Sequence, residues 1–225
     1  TPYIWSLVII STILHGFYRL LVVYSYRFGD LSFVYPVARG GSSLLLAIIS
    51  VIFLTDKISL IGFLAILIVC FGLFLISYSK KNKFNKTAFV LGSLTALMIT
   101  SYTLVDGIGV RQSDNAYTYL LWMLLLNGTP ALAVSLIFKN NGLRKINKDL
   151  LIKGFGFGIL APLAYGLVVW CMQYLPIAYA SSIRETSIIF ATLIGFIILG
   201  EKNAKSRIVP AIFIVLGIGI LYFQI

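Results

Sequence analysis

The chain has 225 residues, of which 60% are hydrophobic and only 11% charged, with a mean hydropathy of +0.99; a soluble domain of this size needs far more polar surface. The net charge of +11 raises the possibility of nucleic-acid binding. The lysines and arginines instead fall mainly in short connectors between apolar runs, and no basic patch interleaves with aromatics, so a nucleic-acid partner is not expected.

Apolar runs long enough to cross a hydrocarbon core of ~30 Å recur along the whole chain. They predict an all-α, polytopic membrane bundle with spanning helices at 3–26, 31–54, 58–78, 87–110, 117–138, 151–174, 177–199 and 206–224. The connectors carry breakers: "GD" at 29–30, "KKNKFNK" at 80–86, "RQSDNA" at 111–116, "KNNGLRKINKD" at 139–149 and "GEKNAKSR" at 200–207. The first run has no basic leader or cleavage pattern and is no signal peptide. It starts at Thr1 with almost no hydrophilic lead, which suggests that the chain has lost its beginning. Cys70 and Cys171 lie inside apolar runs as small hydrophobes, and one histidine with two scattered cysteines offers no metal-ligand spacing. No cofactor is expected.

Connectors after the first, third, fifth and seventh predicted helices hold most of the positive charge. They contain Arg27, Lys80, Lys81, Lys83, Lys86, Lys139, Arg144, Lys145, Lys148, Lys202, Lys205 and Arg207, with Lys153 close by; the other side has Lys57 and Arg111. The positive-inside rule puts the richer side in the cytoplasm and Ile225 outside. Arg19, Arg39 and Arg184 remain, inside helices.

Sliding the chain on itself reveals a repeat. At an offset of 145, residues 31–79 align without a gap on 176–224: Arg39 falls on Arg184, Ser42 on Ser187, Asp56-Lys57 on Glu201-Lys202, and Gly72 on Gly217. The second unit, 87–225, holds five predicted helices, an odd number, so the copies should be inverted. The first unit, 1–79, holds three, and about 58 residues carrying two more helices are expected before Thr1 by the same offset. Inverted repeats around a midplane cavity are the architecture of secondary carriers.

The motifs "HGFYRLLVVYSYRFGDLSFVYPVARG" (15–40), "SYTLVDGIGVR" (101–111) and "RETSIIFATLIGFIILGEK" (184–202) resemble the EamA-type carriers of the drug/metabolite transporter superfamily. The resemblance covers essentially the whole chain. It implies a ten-helix, 5 + 5 inverted-repeat transporter that exchanges small metabolites by alternating access, in the cytoplasmic membrane of a bacterium. It also implies both termini in the cytoplasm, against the charge count.

Arg39 and Arg184 lie roughly 10 Å into their helices at 1.5 Å per residue. A charge there is costly unless it is paired or faces water. Each is either a gate or anchor for an anionic substrate group, or a structural arginine bonded to carbonyls or snorkelling to a headgroup. Glu185 and Asp106 are the carboxylates inside apolar runs. Either one is a proton-coupling site or a counter-ion for an arginine. His15 and Arg19, spaced i, i+4, share a helix face and belong to one half alone, as substrate ligands or as helix–helix hydrogen bonders. Tyr35, Tyr102, Tyr165, Trp170 and Gln173 are cavity-wall positions that packing or interfacial anchoring would equally explain. Pro36 is expected in the first turn or so of its helix. Gly40, Ser43, Ala47 and Ser50, and Ser187, Ala191 and Gly195, form small-residue stripes for close packing. "TDK" at 55–57 and "GEK" at 200–202 read as capping and anchoring devices.

No HExxH is present, Gly29-Asp30 lacks a GxGD frame, and no nucleophile sits beside a base, so an enzyme is not expected. A non-transporting scaffold or receptor is the alternative; a channel would show rings of like residues from an oligomer. The surplus of intramembrane arginines over carboxylates favours an anionic or zwitterionic small-molecule substrate, with protons as a candidate coupling ion.

Overall fold

The computed structural model describes residues 1–29, 31–53, 56–77, 85–130, 148–190 and 208–225. They form eight α-helices: α1 (Pro2–Ser25), α2 (Leu31–Phe53), α3 (Leu60–Ser77), α4 (Lys86–Gln112), α5 (Ala116–Leu126), α6 (Lys148–Cys171), α7 (Ile177–Ile183) and α8 (Ile208–Tyr222). Among the described residues, three helices are long and apolar enough to cross a membrane by themselves, namely Pro2–Ser25, Phe33–Phe53 and Lys86–Gln112. The expected "GD" at Asp30, most of the basic connectors, the stripe residues Ala191 and Gly195, and "GEK" at 200–202 lie outside the described residues.

Helix ends follow local chemistry. Proline at the first position of α1 has no N–H to leave unpaired. Asn85 and Asn115 cap α4 and α5, each side-chain oxygen accepting from two backbone N–H groups of the first turn. The span expected at 117–138 is interrupted: α5 closes at Leu126, a turn covers 127–128, helix resumes at 129–130, and 131–138 lie outside the described residues. Asn127-Gly128 with Pro130 behind it disfavours continuation. Pro36 sits six residues into α2, beyond the free first turn, so it removes one helical hydrogen bond.

The helix expected at 177–199 is not uniform. It runs as α-helix to Ile183, tightens to a 3-10 turn over Arg184–Thr186, and resumes at 187–190. Tightening of this kind inside a helix often marks a hinge or strain.

α4 is flanked by α1, α2, α5, α6 and α7, while α3 links α2 to α8. The outward surface is greasy: Phe53, Leu60, Leu125, Leu160 and Leu167 are each at least 65% exposed. Such side chains require lipid rather than water around them. This is an integral, multi-pass membrane protein.

The α3–α8 contact shows how close the backbones come. A Cβ on Gly72 would lie 2.8 Å from the Pro210 carbonyl oxygen and 2.9 Å from the Ile214 side chain. A Cβ on Gly217 would lie 2.8 Å from the Ala65 carbonyl oxygen and 2.6 Å from the Val69 side chain. As α3 runs forward from Ala65 to Gly72, its partners run backward from Gly217 to Pro210, so the helices are antiparallel. Leucine at position 217 is therefore expected to lower the unfolding midpoint in detergent, by about 1–3 kcal/mol of overpacking. Gly219→Leu should leave it unchanged, because nothing lies within 4 Å of a Cβ there. Equal midpoints for the two variants would contradict the packing.

Candidate functional site

Three charged side chains meet inside the bundle. Arg39, the ninth residue of α2, and Arg184, seven residues after the start of α7 at Ile177, come from opposite ends because the two helices run antiparallel: Asp56, just past α2, contacts Ile177, and Arg39 contacts Glu185. Glu185 is fully buried. Its Oε2 accepts from Arg39 Nε at 3.2 Å, while its Oε1 lies 3.0 Å from Arg39 Nη2 as an ion-pair contact without hydrogen-bond geometry. Arg184 Nε is 3.9 Å from the same Oε1, so one carboxylate lies between two guanidinium groups.

The arginines differ in what else they touch. Arg39 lies over the Tyr35 ring at 5.7 Å, and Arg184 over the Tyr165 ring at 5.9 Å. Nε and Nη2 of Arg184 are buried, with no hydrogen-bond partner among the described residues. Unpartnered buried donors on a charged group are expensive. The trio carries one surplus positive charge.

An aromatic cluster adjoins it. His15 of α1 stacks on Tyr102 of α4 at 3.9 Å, and both meet the Tyr165 ring edge-on, at 5.4 and 5.7 Å. Tyr18 packs edge-on against Tyr102. His15 Nδ1 is 3.0 Å from the Ser11 carbonyl oxygen, which fixes the ring within its own helix. Beyond Tyr165 lies Asp106, fully buried, accepting from Tyr165 Oη at 2.6 Å and Tyr119 Oη at 3.1 Å.

Of the residues singled out from sequence, Arg39, Arg184, Glu185, Asp106, His15, Tyr35, Tyr102 and Tyr165 thus converge on one region. Glu185 is a counter-ion for Arg39. Asp106 is held by two phenols and forms no ion pair among the described residues. Arg19 is engaged elsewhere: its Nη1 donates to the Asn127 carbonyl at the end of α5, as a cation capping a helix C-terminus. Trp170 packs edge-on against Tyr174 at 5.3 Å near the end of α6, and the Gln173 amide donates to the Trp170 carbonyl oxygen; neither joins the cluster.

A second charged constellation went unrecognised in the sequence. At the opposite end of α7, Arg111 Nη1 pairs with Asp56 Oδ1 at 2.7 Å, Nε donates to the Met172 carbonyl oxygen at 2.7 Å, and Nη2 to that of Leu175 at 2.8 Å. Asp56 Oδ2 accepts from the Ile177 N–H at 2.9 Å, capping α7 from another element. Both residues read as ordinary interfacial charges, and nothing in their spacing links them. The scarcity of other charge on that side was the available clue. Tyr119, the second phenol on Asp106, carried no signal at all.

A membrane helix bundle with a buried charged and aromatic centre defines the class. Residues 86–223 match the EamA-like transporter family, and the chain belongs to that family of membrane transporters. No curated protein matches the chain.

Replacing Glu185 by glutamine strands a buried guanidinium and is expected to cost about 3–5 kcal/mol in unfolding free energy in detergent. Removing the pair together, as Arg39→Met with Glu185→Met, should recover part of that loss. A Glu185→Gln protein as stable as the wild type would show that the carboxylate does not hold the arginine.

Proposed function

We propose that this protein is a secondary carrier that moves a small anionic or zwitterionic metabolite across a bacterial cytoplasmic membrane, by alternating access between two inverted halves, 1–79 and 87–225. The observation that carries the reading is Arg184: a buried guanidinium with two unpartnered donors, in a trio with one surplus positive charge. A substrate carboxylate or phosphate would satisfy those donors and balance the charge. A scaffold has no use for so costly an arrangement.

The Tyr165 and Tyr102 rings and His15 would supply the wall against which the rest of the substrate packs. Asp106, across Tyr165 from Arg184, would face the cationic end of a zwitterion. The same carboxyl is the candidate for exchanging a coupling proton, being satisfied by neutral hydroxyls rather than by a cation.

Inversion is supported by the α3–α8 contact. Under the offset of 145, the pair Gly72–Ile214 maps onto Gly217–Val69, and Gly72–Pro210 onto Gly217–Ala65. Reciprocal contacts of this kind are what a two-fold relation between copies produces. With the helices antiparallel, that axis lies across them, hence in the membrane plane.

The test is efflux from proteoliposomes loaded with labelled organic acids and amino acids. Arg184→Ala should fold normally, since no hydrogen bond of Nε or Nη2 is lost, and reduce flux of the transported species at least about tenfold, the minimum set by a charge-assisted contact of about 1.5 kcal/mol. No efflux above protein-free vesicles for any solute, or unchanged flux in the variant, would refute the reading.

A further inference from the structure

The buried hydroxyls that lack hydrogen-bond partners are unevenly distributed. Those of Ser43 and Ser50 lie on α2, and those of Ser181 and Ser182 on α7, all four residues fully buried. Arg184, with its two unpartnered donors, continues the same line just past α7. Buried polar groups are satisfied in nearly all native structures, by protein or by water. A run of orphans along one helix pair therefore needs an account.

Helices α2 and α7 pack against each other and run antiparallel, as the Asp56–Ile177 contact at one end and the Arg39–Glu185 contact at the other require. Between those ends lie the four serines. Ser43 stands one helical turn from Arg39 and Ser50 two turns further on; Ser181 and Ser182 stand one turn from Arg184 and Glu185. By helical spacing Ser43 and Ser50 share the Arg39 side of α2, and Ser181 and Ser182 flank Glu185 on α7; the seam thus reaches from the protein face bearing Asp56 to the charged trio, with unsatisfied hydroxyls on both of its helices.

The mouth of the seam is closed by contacts of a different kind. Arg111 ties Asp56 to the carbonyl groups of Met172 and Leu175, and Asp56 caps α7. Behind them the Tyr179 hydroxyl abuts Gly62, and Tyr179 is almost wholly buried. One ion pair holds three elements together: the α2–α3 connector, the end of α4 and the α6–α7 connector. Its members are among the few ionised groups at that face, and Arg111 remains 27% exposed. A pair at such a boundary can exchange its partner for water at modest cost.

We propose that the α2–α7 seam is the aqueous route by which polar solutes reach the Arg39–Glu185–Arg184 trio from the Asp56 face, and that the Asp56–Arg111 pair is the latch that keeps it shut in this conformation. Opening the latch frees the N-terminal end of α7 to separate from α2. Water then satisfies the serine hydroxyls, which lowers the cost of the open state. The proposal builds on the transport reading, yet it is tested without measuring transport.

Single cysteines replace Ser50, Ser43 or Ser181 in a chain carrying Cys70→Ala and Cys171→Ala, and a membrane-impermeant cationic methanethiosulfonate probes them in detergent-solubilised, intact protein. With the latch intact, labelling should be slow at all three. Asp56→Asn retains an acceptor for the Ile177 N–H, and Arg111→Lys retains the charge but cannot reach three partners, so two variants of different severity are available. In either, labelling should accelerate about tenfold or more, the minimum expected from losing one charge-assisted contact. Ser25→Cys on α1, fully buried against Thr95 of α4 and away from the seam, should stay slow. No labelling in any latch variant would show the seam to be dry, and equal labelling with and without the latch would show that the pair gates nothing; either result overturns the proposal. Flux in parallel vesicles keeps the two readings separate: latch-dependent labelling without flux would sink the carrier assignment and leave the seam standing.

Discussion

A carboxylate without access to water must be neutralised where it stands, and Glu185 imposes that requirement on its surroundings. Its pair with Arg39 joins α2 to the turn after α7, across 146 residues of chain. Arg184, the residue before Glu185 in the same turn, lies beside the same carboxylate. Two cations around one anion leave a residual positive charge that no ion pair among the described residues cancels. The 3-10 turn at Arg184–Thr186 adjusts the spacing of the two side chains at this point.

Close helix packing makes such a centre tolerable. In lipid, helices gain little from hiding apolar surface from one another, so association relies on van der Waals contact and hydrogen bonds. Gly72 and Gly217 let α3 and α8 approach until each glycine lies against the other's backbone. The stripe of Gly40, Ser43, Ala47 and Ser50 belongs to the same economy of volume, with Gly40 against Leu73 of α3 and the other three fully buried. The serines add something that glycine and alanine would not: a polar surface that stays unsatisfied while the helices are together. Small size favours close packing, and the hydroxyl favours hydration.

The site was partly legible in the residues. Arginines and carboxylates inside apolar runs are costly enough to mark function or pairing on sight, and Arg39, Arg184, Glu185 and Asp106 were found on that ground. The division of labour among them was not legible. Asp106 and Glu185 looked alike in the sequence, yet one is held by Tyr119 and Tyr165 and the other by Arg39. Arg19 looked like a cavity cation and instead serves the end of α5. Asp56 and Arg111 looked like surface anchors because each stands at a helix end, where charge is ordinary; their pairing spans 55 residues and depends on which connectors the bundle brings together.

Hydrophobic run length and the placement of charge determined by themselves that the chain is a multi-pass helical membrane protein, because the bilayer enforces both on any sequence. The offset of 145 likewise pointed to a duplication and to the glycine pair. Only the tertiary structure decided which polar groups share a site, that the helix at Arg184 is broken by a tighter turn, and that buried serine hydroxyls on α2 and α7 lack partners. These depend on distances between elements far apart in the chain. A charge or a hydroxyl in a membrane helix declares that it needs a partner; its identity is fixed by packing alone.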